Sequence, residues 1–348
     1  MERVRPQPIV LEPILKAKVW GGRRLGSLGK VLPAGESIGE SWEVADLSST
    51  DAGGGGGGEA RSRIARGPLA GFTLHDAIGL WGDALLPGSG IGLAGAIPEF
   101  PLLVKFLDAR EHLSVQVHPS PAYASAHAGA HLKTECWYVL GAEPGAVIFK
   151  GVRSGVTREL FDRALRSGEG SSRGAGVVDL LEAVPAHVGD MHLLPSGTVH
   201  ALGAGVLVAE VQTPSDTTFR VYDWANEYGR AGRELHVEQA MACIQFAPAL
   251  PATRLADGAK RGVLCETEFF RVEAVRGHCE EAALLEGVAP GPAVVMCLSG
   301  MGMSIAGEGF DEVQVRAGET TLIPAACAPT CALRMGPRTD VLVATLGS

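Results

Sequence analysis

Two histidines, a carboxylate and an amide lie in short segments of alternating polar and apolar residues, and together they have the chemistry of a metal site. The segment LSVQVHP carries Gln116 and His118, KTECWYVL carries Glu135, and PSGTVHAL carries His200. Imidazole nitrogens and a carboxylate suit zinc or a similar divalent ion, and such sites keep a position open for water or substrate. Spacing alone does not show that these residues converge, so a polar surface face remains the alternative.

Further polar side chains share faces with these residues if the segments are strands. Side chains two residues apart in a strand point the same way, which places Lys133, Glu135 and Trp137 on one face. In the otherwise apolar segment GVLVAEVQ, Glu210 and Gln212 share a face in the same way. A buried acid needs a partner, so this pattern predicts that Glu210 contacts another polar group.

The elements that must position these groups are short β-rich runs divided by glycine and proline. Runs such as LLVKFLD, ECWYVL, AVIFK and TTFRVYDW recur about every ten residues, which is typical of sandwiches and jelly rolls. The predicted fold is therefore mainly β, a jelly-roll β-sandwich with a second, smaller C-terminal β domain. Pro248 and Pro251 suggest the boundary, with the larger domain at 1–247 and the smaller one at 248–348.

Short helices are predicted as insertions in the larger domain. A capping-box pattern opens an amphipathic run at about 73–86. Apolar residues three and four apart predict two more helices, at 157–167 and at 177–184, so the second insertion spans about 157–184. The six-glycine run Gly53–Gly58 reads as the tip of a long hairpin.

Composition and charge exclude several classes of partner. The 348 residues carry a net charge of -9, which argues against a nucleic-acid surface. Seven cysteines form no C-x-x-C pair, which fits reduced thiols in a cytosol. The N-terminal segment lacks the pattern of a secretion signal, and glycines and prolines break the apolar stretch 84–104. We expect a cytoplasmic protein that acts on a small molecule, with no nucleic-acid or membrane partner.

One glycine motif is discarded. Gly90, Gly92 and Gly95 match the spacing of a dinucleotide-binding loop. Pro98 and Pro101 forbid the helix that has to follow such a loop. The segment is therefore predicted to be an irregular connection without a phosphate site.

The motif segments, taken in order, resemble the type I phosphomannose isomerase family, also called mannose-6-phosphate isomerases, in its short bacterial form. The resemblance runs from VWGG and IGESWEV through PLLVKFLDA, LSVQVHP, KTECWY and PSGTVHAL to AEVQTPSDTTFRVYDW, RELH and AGETTLIPA. It implies a cupin-type jelly roll with helical insertions and a further β domain. It also implies zinc-dependent interconversion of mannose 6-phosphate and fructose 6-phosphate, with one Zn²⁺ per chain.

The resemblance implies roles for individual residues as well. The family's zinc-binding positions are occupied here by Gln116, His118, Glu135 and His200. Arg220 matches the active-site arginine, and Lys105 and Ser114 match positions associated with the substrate phosphate. The reaction moves a proton between C1 and C2 through an enediol. Glu210 and Lys133 are the candidate bases, and we rank Glu210 first because a carboxylate is already ionised at neutral pH.

Other functions remain open at this level. A cupin oxygenase also uses two histidines and a carboxylate, in that case for iron. A non-catalytic sugar-phosphate-binding cupin would bind the ligand without turnover. For Arg220, a structural pairing with Asp216 or Asp223 is the alternative role. The chain is predicted to be a monomer or a homodimer.

Overall fold

Strands dominate the structure. The computed structural model describes residues 4–50, 56–89, 97–167, 174–277, 282–284 and 291–347. The first strands are β1 (Ile9–Leu11), β2 (Ile14–Gly22), β3 (Ile38–Val44), β4 (Asp46–Thr50), β5 (Gly58–Arg61), β6 (Leu103–Ala109), β7 (Val115–Val117), β8 (Glu135–Ala142), β9 (Val147–Val152), β10 (Leu181–Pro185), β11 (Asp190–Leu194), β12 (His200–Leu202), β13 (Val206–Gln212) and β14 (Phe219–Tyr222). The remaining strands are β15 (Thr253–Arg254), β16 (Arg261–Glu266), β17 (Phe270–Arg276), β18 (Ala282–Leu284), β19 (Ala293–Cys297), β20 (Met303–Ala306), β21 (Val313–Val315), β22 (Thr320–Ile323), β23 (Ala332–Met335) and β24 (Asp340–Leu346). The α-helices are α1 (Leu74–Trp81), α2 (Pro121–Ala126), α3 (Arg158–Arg166) and α4 (Val237–Cys243).

Four sheets are stacked on one another. The first sheet (β10-β9-β12-β7-β14) and the second sheet (β15-β11-β8-β13-β6-β2-β3) form the jelly-roll sandwich. The third sheet (β1-β22-β19-β24-β17-β16) shares an apolar core with the outer face of the second, and the fourth sheet (β18-β23-β20-β21) covers the third. The predicted fold, a mainly β sandwich of cupin type with a further β unit, is confirmed.

Strand β13 shows how one strand serves two layers. Its alternate residues Ala209 and Val211 belong to the apolar core shared with the third sheet. The residues between them, including Val208 and Glu210, face the interior of the sandwich because side chains alternate along a strand. All seven residues of β13 are buried. Both faces of β13 therefore lie inside the protein.

Helices cover the outer face of the first sheet and one end of the core. Phe161 and Leu165 of α3 pack with α4 against the apolar backs of β7 and β14. Thr73 and Asp76 form the predicted capping box, and α1 and α3 confirm two of the predicted helices. Over the described ranges, each helix is too short or too polar to cross a lipid bilayer.

The predicted helix over 177–184 is wrong. A 3₁₀ turn covers Ala175–Leu180, and β10 (Leu181–Pro185) follows it, paired antiparallel with β9. Three- and four-residue apolar spacing also suits a 3₁₀ turn, so the pattern did not separate the two structures. The strand at Leu181–Pro185 forms because its backbone pairs with β9. Without it, backbone groups of β9 would lie unpaired at a sheet edge.

Two predictions concern segments that the structure describes only in part or not at all. The hairpin around the glycine run is confirmed, because β4 and β5 pair antiparallel with Thr50 opposite Gly58. Residues 51–55 of its tip lie outside the described residues. The discarded motif of Gly90, Gly92 and Gly95 also lies outside them.

The boundary predicted at residue 247 stays a prediction. Two strands pair with a strand that lies on the other side of this boundary in the sequence. β1 pairs Ile9 with Leu322 and so completes the third sheet, and β15 pairs Thr253 with Met191 of the second sheet. The N-terminal and C-terminal parts of the chain therefore exchange edge strands.

Candidate active site

Three side chains from three strands meet inside the sandwich. His118 directly follows β7, Glu135 begins β8 and His200 begins β12, and their ligand atoms lie within 4.8 Å of one another. Nε2 of His200 is 3.1 Å from one oxygen of Glu135, and Nε2 of His118 is 3.4 Å from the other. The histidines are 1% exposed and the glutamate 0%. The structure thus brings together three residues that are far apart in the sequence.

The two histidines are oriented by backbone carbonyls. Nδ1 of His118 lies 2.9 Å from the Thr217 carbonyl oxygen, and Nδ1 of His200 lies 2.8 Å from that of Thr198. A donor at Nδ1 leaves the Nε2 lone pair for a ligand. Burial and the charge of Lys133 lower the pKa of His118 to about 3, so its ring is neutral at physiological pH.

The carboxylate of Glu135 stays ionised in this setting. Burial favours its neutral form, but the ammonium of Lys133 and the ring of His118 outweigh burial and hold its pKa well below the usual value. Nζ of Lys133 is 2.7 Å from Oε2 of Glu135. Apart from these ion-pair contacts, neither oxygen of Glu135 nor Nε2 of His118 has a hydrogen bond within the described residues. Neutral imidazoles around an ionised carboxylate fit a divalent metal ion such as zinc.

Gln116 lies beside this group. It is directly opposite His200 in the pairing of β7 with β12, and its Nε2 is 3.3 Å from Nε2 of that histidine. Its Oε1 accepts a hydrogen bond of 3.2 Å from Ser114. Rotation of the amide by half a turn would present oxygen to a metal, so Gln116 as the fourth ligand stays a prediction.

A cavity of about 310 Å³ lies in front of the group. Gln116 and Lys133 line it and contact His200 and Glu135, so the group lies directly behind the cavity wall. Its lining also includes the sequence-predicted residues Lys105, Ser114, Glu210 and Arg220. The volume is at the lower end of the ~300–1,000 Å³ typical of small-molecule sites.

Glu210 and Lys105 form a buried pair in this cavity. They are cross-strand neighbours on β13 and β6, with Nζ of Lys105 3.0 Å from Oε1 of Glu210. Trp137 donates a 2.7 Å hydrogen bond from Nε1 to Oε2 of Glu210. Burial lowers the pKa of Lys105, but the charges of Glu210 and Glu40 outweigh burial and raise it. Lys105 is therefore a permanent cation at neutral pH.

Arg220 reaches the same cavity from β14. Its Nη1 donates a 2.9 Å hydrogen bond to the Glu234 carbonyl oxygen, and its backbone N–H donates to Nδ1 of His236 at 3.2 Å. Its Nε lies 4.0 Å from Oδ1 of Asp223, at the outer limit of an ion pair. The structural pairing with Asp223 therefore exists, but it is long.

Sequence reasoning missed several residues that line the cavity. Lys18 lies 3.3 Å from Oε1 of Glu40, and Trp42 donates a 2.6 Å hydrogen bond to Oε2 of that glutamate. Lys18 with Trp20 and Glu40 with Trp42 are spaced two apart, so strand alternation in β2 and β3 could have found them. Arg233, to which the resemblance did not assign a role, also lines the cavity. It lies in a loop, where no periodic signal exists.

A jelly roll whose interior holds two histidines and a carboxylate behind a polar cavity defines a metal-binding protein of the cupin type. The sequence is 32% identical over 328 residues to a mannose-6-phosphate isomerase of Streptococcus mutans, which covers 91% of this chain and 92% of the relative. It is 34% identical over 249 residues, 70% of each chain, to the mannose-6-phosphate isomerase ManA of Bacillus subtilis. The chain belongs to the mannose-6-phosphate isomerase family.

Solved structures agree with this assignment. The crystal structure of the mannose 6-phosphate isomerase from Bacillus subtilis matches with a TM-score of 0.77 and 26% identity, over 97% of this chain and 99% of that one. A zinc-bound mannose 6-phosphate isomerase matches with a TM-score of 0.73 and 18% identity, over 98% and 100%, which shows the same fold. No protein-family model matches the sequence.

Proposed function

We propose that this protein is a zinc-dependent mannose-6-phosphate isomerase, which interconverts mannose 6-phosphate and fructose 6-phosphate. The observation that carries the proposal is the buried group of His118, Glu135 and His200 behind a polar cavity, in a chain of this family. Both curated relatives bear the name of this activity, and one structure of the same fold is bound to zinc. Family membership favours an isomerase over a cupin oxygenase.

One Zn²⁺ per chain is proposed to bind to His118, Glu135 and His200, with Gln116 as the fourth ligand. When bound, zinc polarises a carbonyl or hydroxyl oxygen and stabilises negative charge there. Lys133 keeps the carboxylate of Glu135 oriented through their 2.7 Å contact. It also adds a positive charge to the cavity wall, where charge develops on the substrate oxygens.

Glu210 is proposed to carry the proton between C1 and C2. Its oxygens receive the ammonium of Lys105 and the indole N–H of Trp137, and each oxygen keeps further acceptor capacity. Lys105, with its raised pKa, serves as a fixed cation and not as the base. Lys133 is the alternative base, but it would have to leave its ion pair with Glu135 to accept a proton.

Arg220 is proposed to stabilise the enediolate or the phosphate. Its guanidinium stays charged at every relevant pH and offers several donors in a fixed fork. Lys105 and Ser114 contribute a positive charge and a hydroxyl group on the same cavity wall. Several cations of the cavity wall can thus contact the substrate, while the carboxylate of Glu210 can accept a proton.

A coupled assay of the purified protein on mannose 6-phosphate tests the proposal. We expect conversion to fructose 6-phosphate, loss of activity after chelation and recovery on addition of zinc. Oxygen consumption by the iron-loaded protein without isomerisation would instead indicate an oxygenase. Binding of mannose 6-phosphate without any turnover would indicate a non-catalytic sugar-phosphate-binding protein.

The protein is further proposed to act in the cytoplasm, as a monomer or a homodimer, with a small sugar phosphate as its partner. Support comes from the cysteines, because the six that the structure describes are buried free thiols. Such thiols fit a reducing compartment. Size-exclusion chromatography with light scattering measures the oligomeric state.

A further inference from the structure

We propose that Arg233 is the residue that binds the substrate phosphate directly, and that Asp223 is the positioning residue that holds Arg233 in place. Lys105 and Ser114 then add charge and polarity to the cavity wall, but they are not the main contacts of the phosphate. The inference rests on the proposed function, because it names the phosphate-binding residue of the same site. Its basis is a comparison of hydrogen-bond donors: those of Lys105 and Ser114 already contact other side chains, whereas Arg233 keeps a group without a partner among the described residues.

Lys105 and Ser114 are already engaged by other groups. The ammonium of Lys105 contacts Glu210 at 3.0 Å and donates to Oε1 of Gln212 at 2.7 Å, and it lies 5.1 Å from the centre of the Trp42 ring. An ammonium has three donors. Its side chain is only 6% exposed. The hydroxyl of Ser114 donates to Gln116 at 3.2 Å. Lys105 therefore keeps at most one donor for a phosphate, and the hydroxyl of Ser114 would have to give up its contact with Gln116 to donate to one.

Asp223 engages Nε and Nη2 of Arg233 but leaves Nη1 without a partner among the residues that the structure describes. Its Nε donates a 2.7 Å hydrogen bond to Oδ1 of Asp223, its Nη2 contacts the same oxygen, and its backbone N–H donates to Oδ2 at 2.9 Å. Nη2 is buried against this carboxylate, whereas Nη1 of Arg233 has no hydrogen-bond or ion-pair partner within the described part of the chain. The guanidinium carries five donors in a rigid fork. The two N–H donors of Nη1 are therefore available to a second anion.

The position of Arg233 suits a phosphate at the outer part of the cavity. The residue lines the same cavity as Glu210 and Arg220, and its side chain is 27% exposed. Guanidinium groups recognise phosphate oxygens through paired, parallel N–H donors. Asp216 and Glu234 also line the cavity. What selects a phosphate here is therefore the directed N–H donors of Nη1 of Arg233 more than the total charge of the cavity.

Asp223 fixes the orientation of the Arg233 guanidinium. It is 4% exposed, and its carboxylate also accepts a 2.8 Å hydrogen bond from Nη1 of Arg230. Burial raises the pKa of Asp223, but its hydrogen bonds with Arg233 and Arg230 outweigh burial and lower it. Arg230 is not among the residues that line the cavity. The two arginines share one carboxylate and differ in their access to substrate, so Arg230 is a matched control for Arg233.

The test compares Arg233→Gln with Arg230→Gln on phosphorylated and unphosphorylated sugar. For Arg233→Gln we expect the KM for mannose 6-phosphate to rise about 10- to 100-fold, which is the worth of a hydrogen bond to a charged group. Its kcat/KM for mannose, which lacks the phosphate, should fall much less than its kcat/KM for mannose 6-phosphate. Arg230→Gln should change the KM for mannose 6-phosphate much less. Arg233→Lys keeps the charge but loses the fork, so we expect an intermediate KM.

Binding of fructose 6-phosphate and of fructose, measured by calorimetry on the same zinc-loaded proteins, completes the test. The inference predicts that Arg233→Gln weakens the binding of fructose 6-phosphate far more than that of fructose. Equal effects of the two glutamine variants, or an equal loss for mannose and mannose 6-phosphate, would overturn it. Wild-type protein that binds fructose 6-phosphate but does not isomerise mannose 6-phosphate would contradict the proposed function instead. Circular dichroism and the melting temperature show whether each variant is folded.

Discussion

The two sandwiches of this protein fill their interiors with different chemistry. Between the first and second sheets lie the buried His118, Glu135 and His200, with Lys105 and Glu210 beside them. Between the third and fourth sheets, the core cluster consists of valine, isoleucine, leucine, methionine, alanine and cysteine. Buried charges cost free energy unless they are paired or hold a metal. The first interior therefore serves function, whereas the second mainly stabilises the fold.

The functional interior also contains polar groups that the proposed reaction does not use. Lys150 lies opposite His200 in the pairing of β9 with β12, and it is 1% exposed. Its Nζ and both ring nitrogens of the buried His192 lack hydrogen bonds within the described residues. Burial lowers the pKa of Lys150 to about 8. Polar character on this side of the sandwich is thus a cost in stability as well as a source of function.

The largest effect is expected when the functional interior loses a metal ligand. His200→Ala should lower kcat about 1000-fold or more, because it removes one ligand of the proposed zinc site. The melting temperature of the metal-free protein should change little. Zinc content by mass spectrometry and the coupled assay measure the effect. Near-normal turnover after chelation and addition of zinc would show that the site is elsewhere.

Glu210→Gln tests the proton carrier in the same interior. The change keeps the size of the side chain but removes its basicity, so kcat should fall by roughly 10²- to 10⁴-fold with little change in KM. Steady-state kinetics on mannose 6-phosphate measure both constants. Lys133→Met is the companion variant. A loss of kcat that is larger in Lys133→Met, with zinc still bound, would identify the lysine as the base.

A cavity in the apolar sandwich should affect stability and not catalysis. Ile305 of β20 is fully buried in the core between the third and fourth sheets. Ile305→Ala should lower the free energy of unfolding by about 2–4 kcal/mol, because it removes buried methyl groups and leaves a cavity. Urea denaturation measures this loss, and kcat at 25 °C should equal that of the wild type. A matching loss of kcat would show that the two sandwiches are coupled.

The smallest effect concerns Lys150, whose replacement should stabilise the protein. The folded pKa of about 8 lies below the ordinary value of 10.5, so the unfolded chain binds more protons between these pH values. The stability of the wild type therefore rises with pH through this window, and the penalty is fully present below pH 8. Lys150→Met should raise the free energy of unfolding at pH 7 by about 1–3 kcal/mol.

Chemical denaturation of both proteins at pH 7 and pH 10 checks this prediction. The advantage of Lys150→Met should shrink at the higher pH, because the wild-type lysine is then largely neutral in the folded protein. A constant difference between the two proteins at both pH values would show that packing, and not charge, determines the effect.

Much of the site could be predicted because side-chain direction in a strand is a local property. Alternation alone put Lys133 with Glu135 and Glu210 with Gln212 on common faces, and the structure has each of these pairs facing the sandwich interior. The same local reasoning failed at 177–184. There, pairing with a distant strand decided the structure, and no pattern within the segment carries that information.

The sequence by itself determined the alternation of the strands, the order of the motifs and hence the family of this protein. Only the tertiary structure decided that His118, Glu135 and His200 converge within 4.8 Å, because strand pairing between distant segments brings them together. It also decided which of two nearby arginines lines the cavity. Arg230 and Arg233 lie in a loop without periodicity and bind the same carboxylate, so their difference depends on the packing around Asp223.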